Sequence, residues 1–185
     1  MCTACAGFSR WLTGQIRSGN AALAYAVIGL QRRTLGAMLR HALDRGAWGD
    51  AENIVRALDA YWNTRGLGGE AGAWADRILE ATVGAGQDTP EPARSLWLYT
   101  TITQAARQKD AGRLDEAGQT YRQALAYLQD QPGTDWTRGN ISVVYYQLGM
   151  TAQDRGRLDE AEDWYRKALT VFEELDDRPR LVSWS

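Results

Sequence analysis

One six-residue phrase occurs twice in this chain and decides most of what it can fold into. Gly112-Arg113-Leu114-Asp115-Glu116-Ala117 returns as Gly156-Arg157-Leu158-Asp159-Glu160-Ala161, an offset of 44 residues. The residues after each copy also correspond: Tyr121, Ala124, Leu125 and Leu128 follow the first, and Tyr165, Ala168, Leu169 and Phe172 follow the second. Internal periods of roughly 20–50 residues mark arrays of stacked units, because a single unit of that size cannot bury its own apolar face.

The phrase reads as a helix–turn–helix centred on its turn. Gly156 ends one helix, where a residue in the left-handed conformation satisfies the last carbonyls. Asp159 and Glu160 put negative charge on the first turn of the next helix, which suits its dipole. Ala161 and Ala168 are small enough to let neighbouring helix axes approach, with Leu158, Tyr165, Leu169 and Phe172 filling around them. Gly112, Ala117 and Ala124 fit the same scheme. A fainter echo lies upstream, where Gly46 and Gly66 are each followed five residues later by an alanine, Ala51 and Ala71. These glycines are only 20 residues apart, one helix rather than a pair.

Helical spacing of apolar residues runs through the rest of the chain. Residues 1–19 form an N-terminal segment with a short helix carrying Phe8, Trp11, Leu12 and Ile16. From Asn20 to Arg45 two readings stand. Either a helix bearing Ala22, Tyr25, Ala26 and Gly29 is followed by a second, capped by Thr34, or one long helix is weakened at Gly29 and Gly36. Ala51, Ile54, Val55, Leu58, Tyr61 and Trp62 make the inner face of the next helix, and Ala71, Trp74, Ala75, Ile78 and Leu79 that of the one after. Residues 20–84 thus read as degenerate helical repeats, closed by a Gly- and Pro-rich loop. Residues 91–179 hold two full repeats, and 180–185 the start of an incomplete repeat or a tail. Ile141 to Tyr146 is β-branched and aromatic, but its apolar spacing of three and four is that of a helix. The fold class expected is all-α, an array of stacked helix pairs with about seven to nine helices.

Composition narrows the partners. The 185 residues are 44% hydrophobic with a net charge of −2, too apolar for disorder and without the basic excess that nucleic acid or an anionic membrane surface calls for. No apolar run approaches the ~20 residues of a membrane span, and no basic segment precedes an apolar one as in a signal peptide. A cytoplasmic protein with neither nucleic-acid nor membrane partner is expected.

Catalytic and metal-binding constellations are hard to assemble. Cys2 and Cys5 form a C-x-x-C pair, but no second pair follows and the only histidine, His41, lies far along the chain among Leu39, Ala42 and Leu43. Asp115/Glu116 and Asp159/Glu160 are adjacent on a helix and point apart, unlike an acid/base pair. Gly66-Leu67-Gly68-Gly69 lacks the preceding strand of a phosphate loop, and no G-x-x-x-x-G-K-[ST] occurs. No enzyme activity, cofactor or metal is expected, and an enzyme on a helical scaffold is the remote alternative.

Tyr145-Tyr146-Gln147-Leu148-Gly149 followed by Gly156 to Ala161, Tyr165 and Ala168-Leu169 resembles a tetratricopeptide repeat. The long period and the ending Phe172-Glu173-Glu174-Leu175-Asp176-Asp177-Arg178-Pro179 resemble the extended, kinesin-light-chain-like variety. Residues 31–83, through Trp62 to Gly66 and Trp74 to Leu79, resemble more loosely the helical region of bacterial STAND-type regulators, without their nucleotide-binding module. The resemblance implies a right-handed α-solenoid of antiparallel helix pairs, a non-enzymatic module that binds a protein or peptide in a concave groove lined by the first helix of each repeat. Carried onto this chain, the groove takes Tyr99, Thr103 and Lys109 from one repeat and Tyr146, Gln147, Met150 and Asp154 from the next. The chaperone-binding subtype uses Lys and Asn at such positions to hold a C-terminal carboxylate; Tyr146 and Met150 stand there instead, so that ligand is not expected. The alternative is a scaffold or sensor part of a larger bacterial regulator. A further expectation is a homo-oligomer formed through an uncapped face of Tyr165, Leu169, Phe172 and Trp184.

Overall fold

The computed structural model describes residues 21–82 and 91–176, together with Gly7 and Gly14. The N-terminal segment, Cys2 and Cys5, most of the Gly- and Pro-rich loop, Trp184 and residues 180–185 lie outside the described residues. Seven helices are described: α1 Ala21–Asp44, α2 Trp48–Arg65, α3 Gly68–Thr82, α4 Glu91–Asp110, α5 Leu114–Gln129, α6 Asp135–Asp154 and α7 Leu158–Asp176. The fold is all-α, with no strand among the described residues. The chain divides into two compact units, residues 1–100 and 101–185, and the division falls inside α4.

One turn is used four times. Gly46, Gly66, Gly112 and Gly156 all have φ between 64° and 74°, the left-handed region that a Cβ disfavours. In each case the glycine N–H bonds to the carbonyl three residues back and the next N–H to a carbonyl five back, as in Gly156 to Gln153 at 2.8 Å and Arg157 to Ala152 at 2.9 Å. These are the paired bonds of the Schellman motif, which satisfy carbonyls left open at the helix end. The residue after each glycine then accepts from the alanine four further on, opening the next helix: Ala51, Ala71, Ala117 and Ala161. All four alanines are buried. An acid precedes every one of them, Asp50, Glu70, Glu116 and Glu160, so the upstream echo is the same turn with the same dipole chemistry. Gly156→Ala should therefore cost about 1–2 kcal/mol in a urea titration. Gly133→Ala, at a loop glycine without positive φ, should leave the midpoint in place.

In the first unit α1 is one continuous helix, which settles the choice between the two readings in favour of the long one. Its two glycines are points of close approach. A Cβ on Gly29 would lie 3.1 Å from the Tyr61 hydroxyl oxygen, and one on Gly36 3.2 Å from the Trp74 ring. The buried face runs through Ala24, Ile28, Leu35 and Leu39, whereas Ala22 and Ala26 are exposed. Between Ala21 and Leu30 nearly every position is apolar, so spacing alone could not select the face there, whereas over residues 31–44 it marks Leu35, Leu39, Ala42 and Leu43, all buried. Ile54, Leu58 and Trp62 of α2, Ile78 of α3 and Leu96 of α4 complete this core.

In the second unit α5, α6 and α7 pack in sequence, α6 lying between the other two. Thr134 caps α6, its hydroxyl accepting from the Thr137 N–H at 3.1 Å. Val144, Leu148, Thr151 and Ala152 are buried on α6, and Tyr121, Ala124, Leu125 and Leu128 on α5. Arg155 reaches across Gly118 to bond Asp115, and Arg122 reaches Glu160 at 3.4 Å. Burial pushes the Glu160 carboxyl up. The hydrogen bonds from Trp164 and Arg157 and the charges of Arg157 and Arg122 outweigh that and hold it below the usual glutamate value. Leu158, expected to fill the inner face, is instead 67% exposed. It stands at the first position of its helix.

Candidate protein-binding surface

The close contact between α6 and α7 is set by one glycine. A Cβ on Gly149 would lie 2.6 Å from two carbons of the Tyr165 ring, so that ring rests directly on the α6 backbone. The Tyr165 hydroxyl donates to Gln153 at 2.8 Å, and its ring meets that of Tyr146 with centroids 5.6 Å apart and planes tilted by 46°. Burial raises the Tyr165 pKa first, and the nearby Tyr146 and Asp154 add to that. One turn away, Tyr145 stacks on Trp164 at 5.6 Å, with the Lys167 ammonium 4.3 Å from the Trp164 ring centre. The side chains of α6 nearest α7 are thus held by aromatic packing.

One stripe on α6 keeps much of its apolar surface exposed. Trp136, Val143 and Met150 recur every seven residues, with Tyr146 beside them, so they share one side of the helix. Trp136, Val143 and Tyr146 are each 40–47% exposed, and Met150 is half-buried. At 1.5 Å per residue the stripe is about 20 Å long. Single exposed apolar side chains are ordinary on a protein surface, whereas a continuous row is a feature of binding surfaces.

The seven residues that the sequence nominates for a groove fall in different settings. Tyr146, Met150 and Asp154 share one face of α6 at intervals of four. Gln147 faces α5, where its amide oxygen accepts from the Tyr121 hydroxyl at 3.3 Å. Thr103 and Lys109 are half-buried on α4, six residues apart and therefore on different sides of it. Tyr99 belongs to the first unit. Its hydroxyl donates to Asp59 at 2.9 Å, and the Arg56 guanidinium lies 4.0 Å from its ring centre. Burial raises the Tyr99 pKa, and Arg56 opposes the shift. Trp136 and Val143 were not among the nominated residues. Their signal was the seven-residue spacing to Met150, hidden in a run that is apolar on several sides.

A sequence profile described as tetratricopeptide repeat matches residues 99–174. That stretch carries tetratricopeptide repeats. The matched stretch takes in most of α4 and all of α5 and α6, and ends within α7. No curated protein and no solved structure matches the chain. Tetratricopeptide repeats generally mediate protein–protein interaction. Gly149 and Tyr165 are the packing pair of the second repeat, and the half-exposed stripe belongs to that repeat's first helix. Among the described residues no helix is long and apolar enough to cross a membrane.

Proposed function

We propose that this protein is a non-enzymatic interaction module that holds a peptide or protein segment against α6, with Trp136, Val143, Tyr146 and Met150 as its apolar contacts and Asp154 at one end. The carrying observation is the continuous half-exposed stripe on the first helix of a tetratricopeptide repeat. Its rigidity supports the reading. Tyr146 is braced by Tyr165, and Tyr165 by Gly149 and Gln153, so the surface is ordered before the partner arrives. A partner with aliphatic or aromatic side chains fits it.

The test is a peptide-display selection on the purified chain, followed by titration of the selected peptides against Tyr146→Ala/Met150→Ala. Aromatic side chains at the centre of an interface contribute about 1–2 kcal/mol or more each, so a loss of at least about tenfold in affinity is expected, with the helical circular dichroism retained. Peptides that bind the double variant as well as the parent place the binding surface elsewhere.

A further inference from the structure

The repeated phrase meets two different fates. In its first copy Tyr121, Leu125 and Leu128 are 0%, 7% and 0% exposed, and α6 packs against their helix. In its second copy Leu169 is 56% and Phe172 48% exposed, although they occupy the positions of Leu125 and Leu128. Among the described residues α7 packs on α6 alone. The repeat itself therefore shows that this face is built to be covered by a helix.

The charges beside the face indicate which helix. Projected down α7, Leu169 and Phe172 share a side with Arg166 and Glu173, one turn before and one turn after Leu169. Among the described residues Arg166 is paired with the exposed carboxylates of Glu162 at 2.6 Å and Asp163 at 3.1 Å, and Glu173 has no ion partner. A basic residue and an acidic residue placed symmetrically about an apolar centre are self-complementary when two such helices run antiparallel. A two-fold axis between Leu169 and Thr170 sets Arg166 of each copy against Glu173 of the other and buries both Leu169–Phe172 pairs between them.

We infer that the second copy of this chain is the occupant, and that α7 forms an antiparallel, two-fold symmetric pair through Leu169 and Phe172 with reciprocal Arg166–Glu173 contacts. The surface is separate from the apolar stripe on α6, so dimerisation and peptide binding can be lost one at a time.

The experiment is sedimentation equilibrium of the whole chain from micromolar to millimolar concentration. A monomer–dimer equilibrium is expected, and Leu169→Asp should weaken it about tenfold or more without loss of helicity, because the side chain is more than half exposed in one copy. Arg166→Glu alone and Glu173→Arg alone each place like charges together and should weaken the dimer. An equimolar mixture of the two should restore it, because both reciprocal contacts are again between opposite charges. A strict monomer, a dimer indifferent to Leu169→Asp, or a mixture that stays dissociated each overturns the inference.

Discussion

Gly149→Ala is expected to destabilise the second unit by about 1–3 kcal/mol, although the same change elsewhere on that helix should help. Glycine in a helix interior is worse than alanine by about 1 kcal/mol, so propensity alone predicts a gain. At Gly149 the new methyl would sit 2.6 Å from two carbons of the Tyr165 ring, closer than unbonded carbons approach. The ring must shift, losing its hydrogen bond to Gln153 and its contact with Tyr146, and overpacking of this kind typically costs about 1–3 kcal/mol. Gly139 is the internal control, since it lies on the same helix with nothing within 4 Å of its Cβ position. Gly139→Ala should raise the urea midpoint and Gly149→Ala lower it. In a Tyr165→Ala background the penalty at Gly149 should vanish, which a double-mutant cycle measures directly. A Gly149→Ala midpoint at or above the parent's would show that the ring moves aside at no cost.

What was legible in the sequence follows the same division between local chemistry and packing. The turns were legible because their determinants lie within six residues of each other: a glycine for the positive φ, an acid for the helix dipole and an alanine for the close approach. The unit had to be helical for the same reason. Faces were harder. At the start of α1, from Ala21 to Leu30, an apolar run gives no preference among its sides, and it is Tyr61 that closes on Gly29. Within the expected groove Gln147 is bonded to Tyr121, while the exposure of Trp136 and Val143 is hidden in a run apolar on several sides. Neither outcome is a property of the residue type, because each depends on which neighbour reaches it first. Tyr99 shows the same limit. As an aromatic on a first helix it looked available, yet Asp59 and Arg56 engage it, and both are distant in sequence.

The most costly single substitution in the second unit should be Tyr121→Ala, at about 3–5 kcal/mol, the range for removing a large buried aromatic side chain. Its ring is fully buried between α5 and its neighbours, and its hydroxyl donates to Gln147. Burial also pushes its pKa far above that of an ordinary tyrosine, with Asp110 adding to the shift. The tyrosine therefore stays neutral through the range where proteins are stable, and the predicted loss should not vary between pH 6 and 9 on its account. Phe172→Ala is the counterpart. Phe172 closes the same phrase 44 residues after Leu128, and side by side in the sequence the two positions look equivalent. Leu128 is fully buried, however, and Phe172 is half exposed. In dilute solution Phe172→Ala should cost less than about 1 kcal/mol, because roughly half of its area is already in water. At concentrations where α7 pairs with a second copy, the same substitution should lower the apparent stability further, since an assembly that binds only the folded chain stabilises it by mass action. Thermal unfolding of the two variants at low and high protein concentration separates the effects. Tyr121→Ala should shift the transition equally at both, and Phe172→Ala should shift it more at the higher one.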